Sequence, residues 1–257
     1  MIKRITGLFF ATCLLLTACA PKEPDATEPT KPSLPVSSII TTHPDGGVEK
    51  MEQVYDENGH MVKANHYAGD KLVVSYIVTC DSQGRVLKMA DETFGTGISM
   101  EYTYNTAGKT EKVETKLNGE TFFTQSYTYH EDGEKATYTE EDLRTSSTIE
   151  NKYIYEEGVM RWEEYYENGM LLFSWEYTYD VDGRRIEGTR RDSNFMPEGS
   201  RKYTYENKIT TVITYDVEGA ERNTKTIHYD NDGSVTKETF TENGETTVTE
   251  YTYLQKN

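Results

Sequence analysis

Residues Arg161–Ile186, RWEEYYENGMLLFSWEYTYDVDGRRI, decide the fold. Asn168-Gly169 is the two-residue signal of a type I′ turn, and the flanking residues alternate as paired strands do. With Asn168 and Gly169 as the loop, Trp162 falls opposite Trp175, Glu164 opposite Phe173, Tyr166 opposite Leu171 and Arg161 opposite Glu176. The first three pairs occupy non-hydrogen-bonded sites, where cross-strand side chains come closest. The chain's two tryptophans are thus expected face to face. The second strand carries Leu171, Phe173, Trp175, Tyr177 and Tyr179 on one face and Leu172, Ser174, Glu176, Thr178 and Asp180 on the other. A second turn at Asp182-Gly183 sets Tyr179 opposite Ile186.

This two-hairpin unit recurs. Gly59, Gly84, Gly108, Gly133, Gly158 and Gly183 lie 24–25 residues apart, and an aromatic residue stands four positions before several of them. Cys80 takes that aromatic slot before Gly84, which reads as a small half-buried residue in a packing position. Tyr-x-Tyr pairs end at Tyr104, Tyr129, Tyr155, Tyr179, Tyr205 and Tyr253. Pairing about the other turns sets Tyr127 opposite Tyr138, Thr128 opposite Thr137 and Lys237 opposite Glu250. No segment has a helix of convincing length and 3.6-residue period. The expected fold is all-β, an elongated antiparallel meander of consecutive β-hairpins forming a curved open sheet or hairpin solenoid, curled or folded over to cover its apolar face.

Only 35 residues from position 45 onward are Leu, Ile, Val or Phe, a low count that tyrosine must make up. Segments 139–150 and 189–200, with longer turns, are the expected weak points. The formal charge is −17, which disfavours nucleic acid as a partner and favours solubility. Cysteines stand at 13, 19 and 80, too few for a disulfide framework once a signal is removed.

The N-terminus has its own organisation. Lys3 and Arg4 precede an apolar run from Ile5 to about Leu16, too short to cross a bilayer comfortably but suited to a signal peptide. Leu16-Thr17-Ala18-Cys19 resembles the bacterial lipobox, which implies cleavage before Cys19 and lipidation of it. Six of the seven prolines lie between 20 and 44, the composition of an extended tether. The expected organisation is a lipoprotein signal peptide over 1–18, a lipidated cysteine and Pro-rich tether over 19–44, and a repeat domain over 45–257.

Tyr177-Thr-Tyr179-Asp180-Val-Asp-Gly183-Arg184-Arg185-Ile186 and Asp81-Ser-Gln-Gly84-Arg85-Val86 resemble the YD repeat of the Rhs family. That resemblance implies β-hairpin ribbons that wind into shells, although this chain is short for a large enclosing shell and has no toxin tip. Tyr165-Tyr166-Glu167-Asn168-Gly169-Met170-Leu171 is also similar to MORN-type repeats, likewise strings of hairpins.

The histidines at 43, 60, 66, 130 and 228 are scattered, with no His-Glu-x-x-His, P-loop or nucleophile-elbow motif. Carboxylates fill turns and polar strand faces, and Asp180-Val-Asp182-Gly183 and Asp230-Asn-Asp232-Gly233 read as turns rather than calcium loops. No catalytic residue, metal ligand or cofactor site is therefore expected. Trp162, Trp175 and Tyr177 are the candidate aromatic binding surface, and Cys19 the lipidation site. The expected function is that of a non-enzymatic, lipid-anchored protein outside the cytoplasm, on the bacterial cell membrane or outer membrane. It would serve as a binding or scaffold repeat module whose partner is an envelope protein or glycan. The alternative is an immunity or inhibitor protein against a toxin.

Overall fold

A computed structural model describes residues 35–93 and 95–254. The signal segment 1–18, Cys19 and the tether up to residue 34 lie outside the described residues. Eighteen strands follow one another. The first six are β1 (Val36–Thr42), β2 (Val48–Tyr55), β3 (Met61–Ala68), β4 (Lys71–Cys80), β5 (Val86–Asp91) and β6 (Ile98–Tyr104). Next come β7 (Thr110–Leu117), β8 (Glu120–Tyr129), β9 (Lys135–Asp142), β10 (Ser147–Glu156), β11 (Val159–Glu167) and β12 (Met170–Tyr179). The last six are β13 (Arg185–Asp192), β14 (Pro197–Glu206), β15 (Ile209–Asp216), β16 (Glu221–Tyr229), β17 (Val235–Glu242) and β18 (Glu245–Tyr253).

Each strand pairs antiparallel with its sequence neighbours, and β1 pairs with both β2 and β18. The sheet is a closed barrel. The expected all-β antiparallel meander stands, but the open sheet or solenoid does not, because the closing strand came from a segment read as tether. Val36–Thr42 alternates between Ile39, which faces Met51 and Tyr251, and Ile40, which faces Lys50 and Glu250. Leu254 N–H donates to the Pro35 carbonyl at 2.9 Å, so the chain enters and leaves the barrel at one rim.

Tyr127–Tyr138, Thr128–Thr137 and Lys237–Glu250 pair as the turn arithmetic requires. The opening hairpin departs from it. Tyr166 faces Leu171, but a bulge follows, and beyond it Glu163 faces Trp175 while Trp162 faces Glu176. A one-residue slip moves a side chain to the other face of a sheet, so the tryptophans lie on opposite faces. Likewise Tyr179 faces Arg185, with Ile186 as the extra residue.

Similar bulges recur just before Tyr55, Cys80, Tyr104, Tyr129, Tyr179 and Tyr229. A bulge bends its strand and raises the local twist. Repeated round the molecule, they supply the curvature that closes the sheet. Each also interrupts the ladder, and the repeat meets that cost with a tyrosine. The hydroxyls of Tyr55, Tyr104, Tyr129, Tyr205 and Tyr253 donate to the carbonyls of Val36, Val86, Thr110, Arg185 and Val235 at 2.6–2.9 Å. Tyr179 does the same to Met160, and Cys80 Sγ to Met61 at 3.3 Å. In every case the acceptor is the residue just before the bulge's extra residue. Cys80 thus fills a packing slot and keeps a donor there.

The aspartate of the repeat shapes the turn. Asp180 Oδ1 accepts the backbone N–H groups of Asp182 and Arg184 at 3.0 and 2.9 Å, while Arg184 Nε donates to its Oδ2 at 2.8 Å. Gly183, at φ +77°, takes the left-handed position that L side chains resist. Asp81 and Arg85 repeat this arrangement.

A closed single sheet without a covering layer shelters large side chains only on its concave side. Met89 and Tyr177, each 2% exposed, mark that side. Ala64, Val74, Tyr76, Val78, Met89, Met100, Tyr102 and Val113 form one cluster there, and Met160, Trp175, Tyr177 and Tyr203 a second. The convex face carries ion pairs such as Glu101 with Lys88 and Lys116, and Glu114 with Lys112. This is the reverse of the apolar-out pattern of a lipid-spanning barrel. Among the described residues no helix is long and apolar enough to cross a membrane.

Candidate functional site

The bulge between Tyr165 and Tyr166 sets where the aromatic surface can be. Trp175 and Tyr177 are 6% and 2% exposed on the concave face. Trp162 sits on the convex face, in a groove of about 360 Å³ lined by Ile154, Trp162, Glu164, Ser174, Glu176, Arg191 and Phe195. The structure thus separates the three aromatics: one faces outward solvent and two are interior.

Strand register builds the groove. Ile154, Trp162 and Glu176 stand side by side across β10, β11 and β12, and Glu164, Ser174 and Arg191 form the next row across β11, β12 and β13. Arg191 Nε and Nη2 donate to Glu176 Oε2 at 3.0 and 2.8 Å, which locks the guanidinium over the row. Its Nη1 donates to the Phe195 carbonyl at 3.3 Å and ties the β13–β14 turn to the groove. Within that turn Asp192 Oδ1 accepts the N–H groups of Asn194 and Met196, both at 2.8 Å. Phe195 is held at φ +63° and is 59% exposed. A bulky residue in the left-handed region is strained, and such strain gathers where function requires a fixed geometry. Glu164 accepts the Tyr166 hydroxyl at 2.7 Å. Burial, then this hydrogen bond, push the Tyr166 phenol up to about 12.

Sequence reading missed Ile154, Glu164, Ser174, Glu176, Arg191 and Phe195. One signal was present: Phe195-Met196 places two large apolar residues in a turn, where polar residues are usual. On the concave side, burial first and Glu163 second push the Tyr177 phenol well above its ordinary value, and its hydroxyl donates to Glu163 Oε2 at 3.1 Å. Among the described residues no group of three or more His, Cys, Asp or Glu is arranged to hold a metal ion.

No protein family and no curated protein matches this sequence. Solved structures show a weak likeness to it. TcdB2-TccC3 without its hypervariable C-terminal region is 18% identical over 78% of this chain, at a TM-score of 0.41. The match spans only 12% of that longer chain. A porin-like protein from Bacteroides uniformis ATCC 8492 is 15% identical over 89% of this chain and 100% of its own, at a TM-score of 0.44. A porin-like protein from Bacteroides vulgatus ATCC 8482 is 10% identical over 87% of this chain and 100% of its own, at 0.38. At these scores the likenesses carry no assignment of function.

Proposed function

We propose that this protein is a lipid-anchored, non-enzymatic binding module of the bacterial cell envelope, and that the Trp162 groove is its ligand surface. One observation carries the reading: Trp162, Ile154 and Phe195 line a single groove on the outer face together with four polar side chains, Glu164, Ser174, Glu176 and Arg191. An apolar platform with a few oriented hydrogen-bonding groups is the composition with which proteins hold a sugar ring or a peptide. Glu176 and Arg191 are already locked to one another, so a ligand meets them with little ordering left to do.

The address is supported by the lipobox-like Leu16–Cys19 and by the entry of the chain at one rim beside its exit. A tether joining that rim leaves the convex wall free for an envelope glycan or protein. The test is a binding screen of the full chain against solubilised envelope glycans and proteins. Trp162→Ala should weaken the captured ligand about 10-fold or more, the scale of an aromatic anchor at a binding hot spot. Arg222→Gln, which removes a distant exposed ion pair with Asp216, should leave binding unchanged. A ligand whose affinity survives Trp162→Ala would refute the assignment of the groove.

A further inference from the structure

The concave row of β12 is covered, ring by ring, with arginine. Arg190 lies 4.2 Å from the centre of Phe173, Arg201 4.0 Å from Trp175, Arg185 3.8 Å from Tyr177 and Arg161 5.6 Å from Tyr179. These guanidinium groups come from β11, β13 and β14. A chain of net charge −17 with ten arginines therefore gathers four of them on one interior strip.

Stacking does not account for their chemistry. A guanidinium lying on a ring directs its five N–H donors sideways in its own plane, where a π face cannot accept them. Arg185 is 2% exposed, and its Nε and Nη2 have no hydrogen-bond partner. Among the described residues neither Arg185 nor Arg201 forms an ion pair. Arg190 Nε is 3.5 Å from Glu198 and Arg161 Nε 3.9 Å from Glu156, and neither contact is a hydrogen bond. Glu163, the carboxylate on the same face, accepts the Tyr177 hydroxyl. A buried charge without an ion pair is strongly unfavourable, and Arg185 is one, with Arg201 beside it also unpaired, so this part of the strip favours an added anion.

We propose that this arginine–aromatic strip binds a small multivalent anion, carrying two or more phosphate or carboxylate groups, inside the barrel. Arg190 is near the rim opposite the termini and keeps 41% of its side chain exposed, which makes that mouth the entrance. Arg190 faces Gly199 and Arg201 faces Gly188, so the two lie diagonally on adjacent strands, about 7–8 Å apart at the backbone. Two charged groups of one ligand can be bridged across that spacing, with Arg185 adding its field from beneath. This site is separate from the convex groove.

The test is calorimetric titration of the full chain with pyrophosphate and with citrate at low ionic strength, which distinguishes phosphate from carboxylate chemistry. One saturable site per chain is expected for at least one of them, weakened by added salt. Arg201→Gln and Arg190→Gln should each reduce its affinity about 10-fold or more. Arg144→Gln and Arg222→Gln remove equal charge from exposed ion pairs with Asp142 and Asp216 and should leave it unchanged. In a Trp162→Phe background, binding should also alter the fluorescence of Trp175 beneath Arg201. Melting curves establish that each variant is folded. No saturable binding of either anion would overturn the proposal, as would equal losses in all four variants, which would mean attraction by overall charge alone.

Discussion

Replacing Tyr104 by Phe and, separately, Tyr155 by Phe tests the tyrosine brace, because the same chemical change meets opposite surroundings. Tyr104 donates to the Val86 carbonyl at 2.7 Å, beside the bulge that faces Cys80. Removing the hydroxyl loses that bond and leaves a half-buried acceptor unmatched, worth about 1–2 kcal/mol together. Tyr155 occupies the equivalent slot two repeats onward, yet its hydroxyl is buried with no partner. Deleting an unsatisfied buried hydroxyl removes a desolvation cost, so Tyr155→Phe should be neutral or stabilising by up to about 1 kcal/mol. In a domain of this size about 1 kcal/mol moves the melting temperature by about 2–4 °C. Tyr104→Phe should therefore melt about 2–8 °C lower than the parent, and Tyr155→Phe at or above it. Thermal unfolding followed by far-ultraviolet circular dichroism reads both. Equal destabilisation by the two would refute the brace as a hydrogen-bond effect and reduce it to ring packing.

Gly188→Ala would place a methyl 3.0 Å from two Tyr177 ring atoms and 3.3 Å from Trp175. Overpacking of that kind costs about 1–3 kcal/mol, and an unchanged urea midpoint would contradict the packing described. Ile39→Pro removes a ladder donor from β1 and should cost at least about 2 kcal/mol and enlarge the particle in solution scattering, since β1 alone joins β2 to β18. A compact, equally stable variant would mean that closure does not depend on β1. The backbone N–H of Arg184 holds the Asp180 carboxyl below its ordinary range, and the N–H groups of Met196 and His60 do the same for Asp192 and Asp56. A folded pKa below the unfolded one contributes stability that is present above the unfolded value near 4 and is lost as the pH falls through the folded value. Melting temperature should thus drop below about pH 4. Asp180→Asn should keep its turn, since Asn105 accepts Ala107 and Lys109 in the same way at 3.0 Å, and should soften the acid drop.

What the sequence made legible was whatever depends on neighbours along the chain. Turn glycines, the Tyr-x-Tyr alternation and the capping aspartates are local chemistry, and the pairs nearest each turn, such as Tyr166 with Leu171, follow from the loop alone. Two things depended on more than that. An extra residue in a strand has no marker in composition: Leu172, Arg161 and Ile186 look like ordinary strand residues, yet the first separates the two tryptophans and makes one an outward platform and one an interior ring. Closure is the other. Val36–Thr42 lies among prolines and reads as linker, and its strand character appears only because β2 and β18 both present unpaired edges to it. These two features share a cause. Recurrent bulges bend the meander until its ends approach, and the tyrosine eighteen to twenty residues beyond the bulge acceptor keeps the interrupted ladder satisfied. Tyr-x-Tyr is therefore a statement about curvature as much as packing: its second tyrosine stands where a bulge must be capped. A repeat of this type that lost those hydroxyls would keep its strands, turns and bulges but leave the carbonyls at the bend without their braces, at a cost in stability.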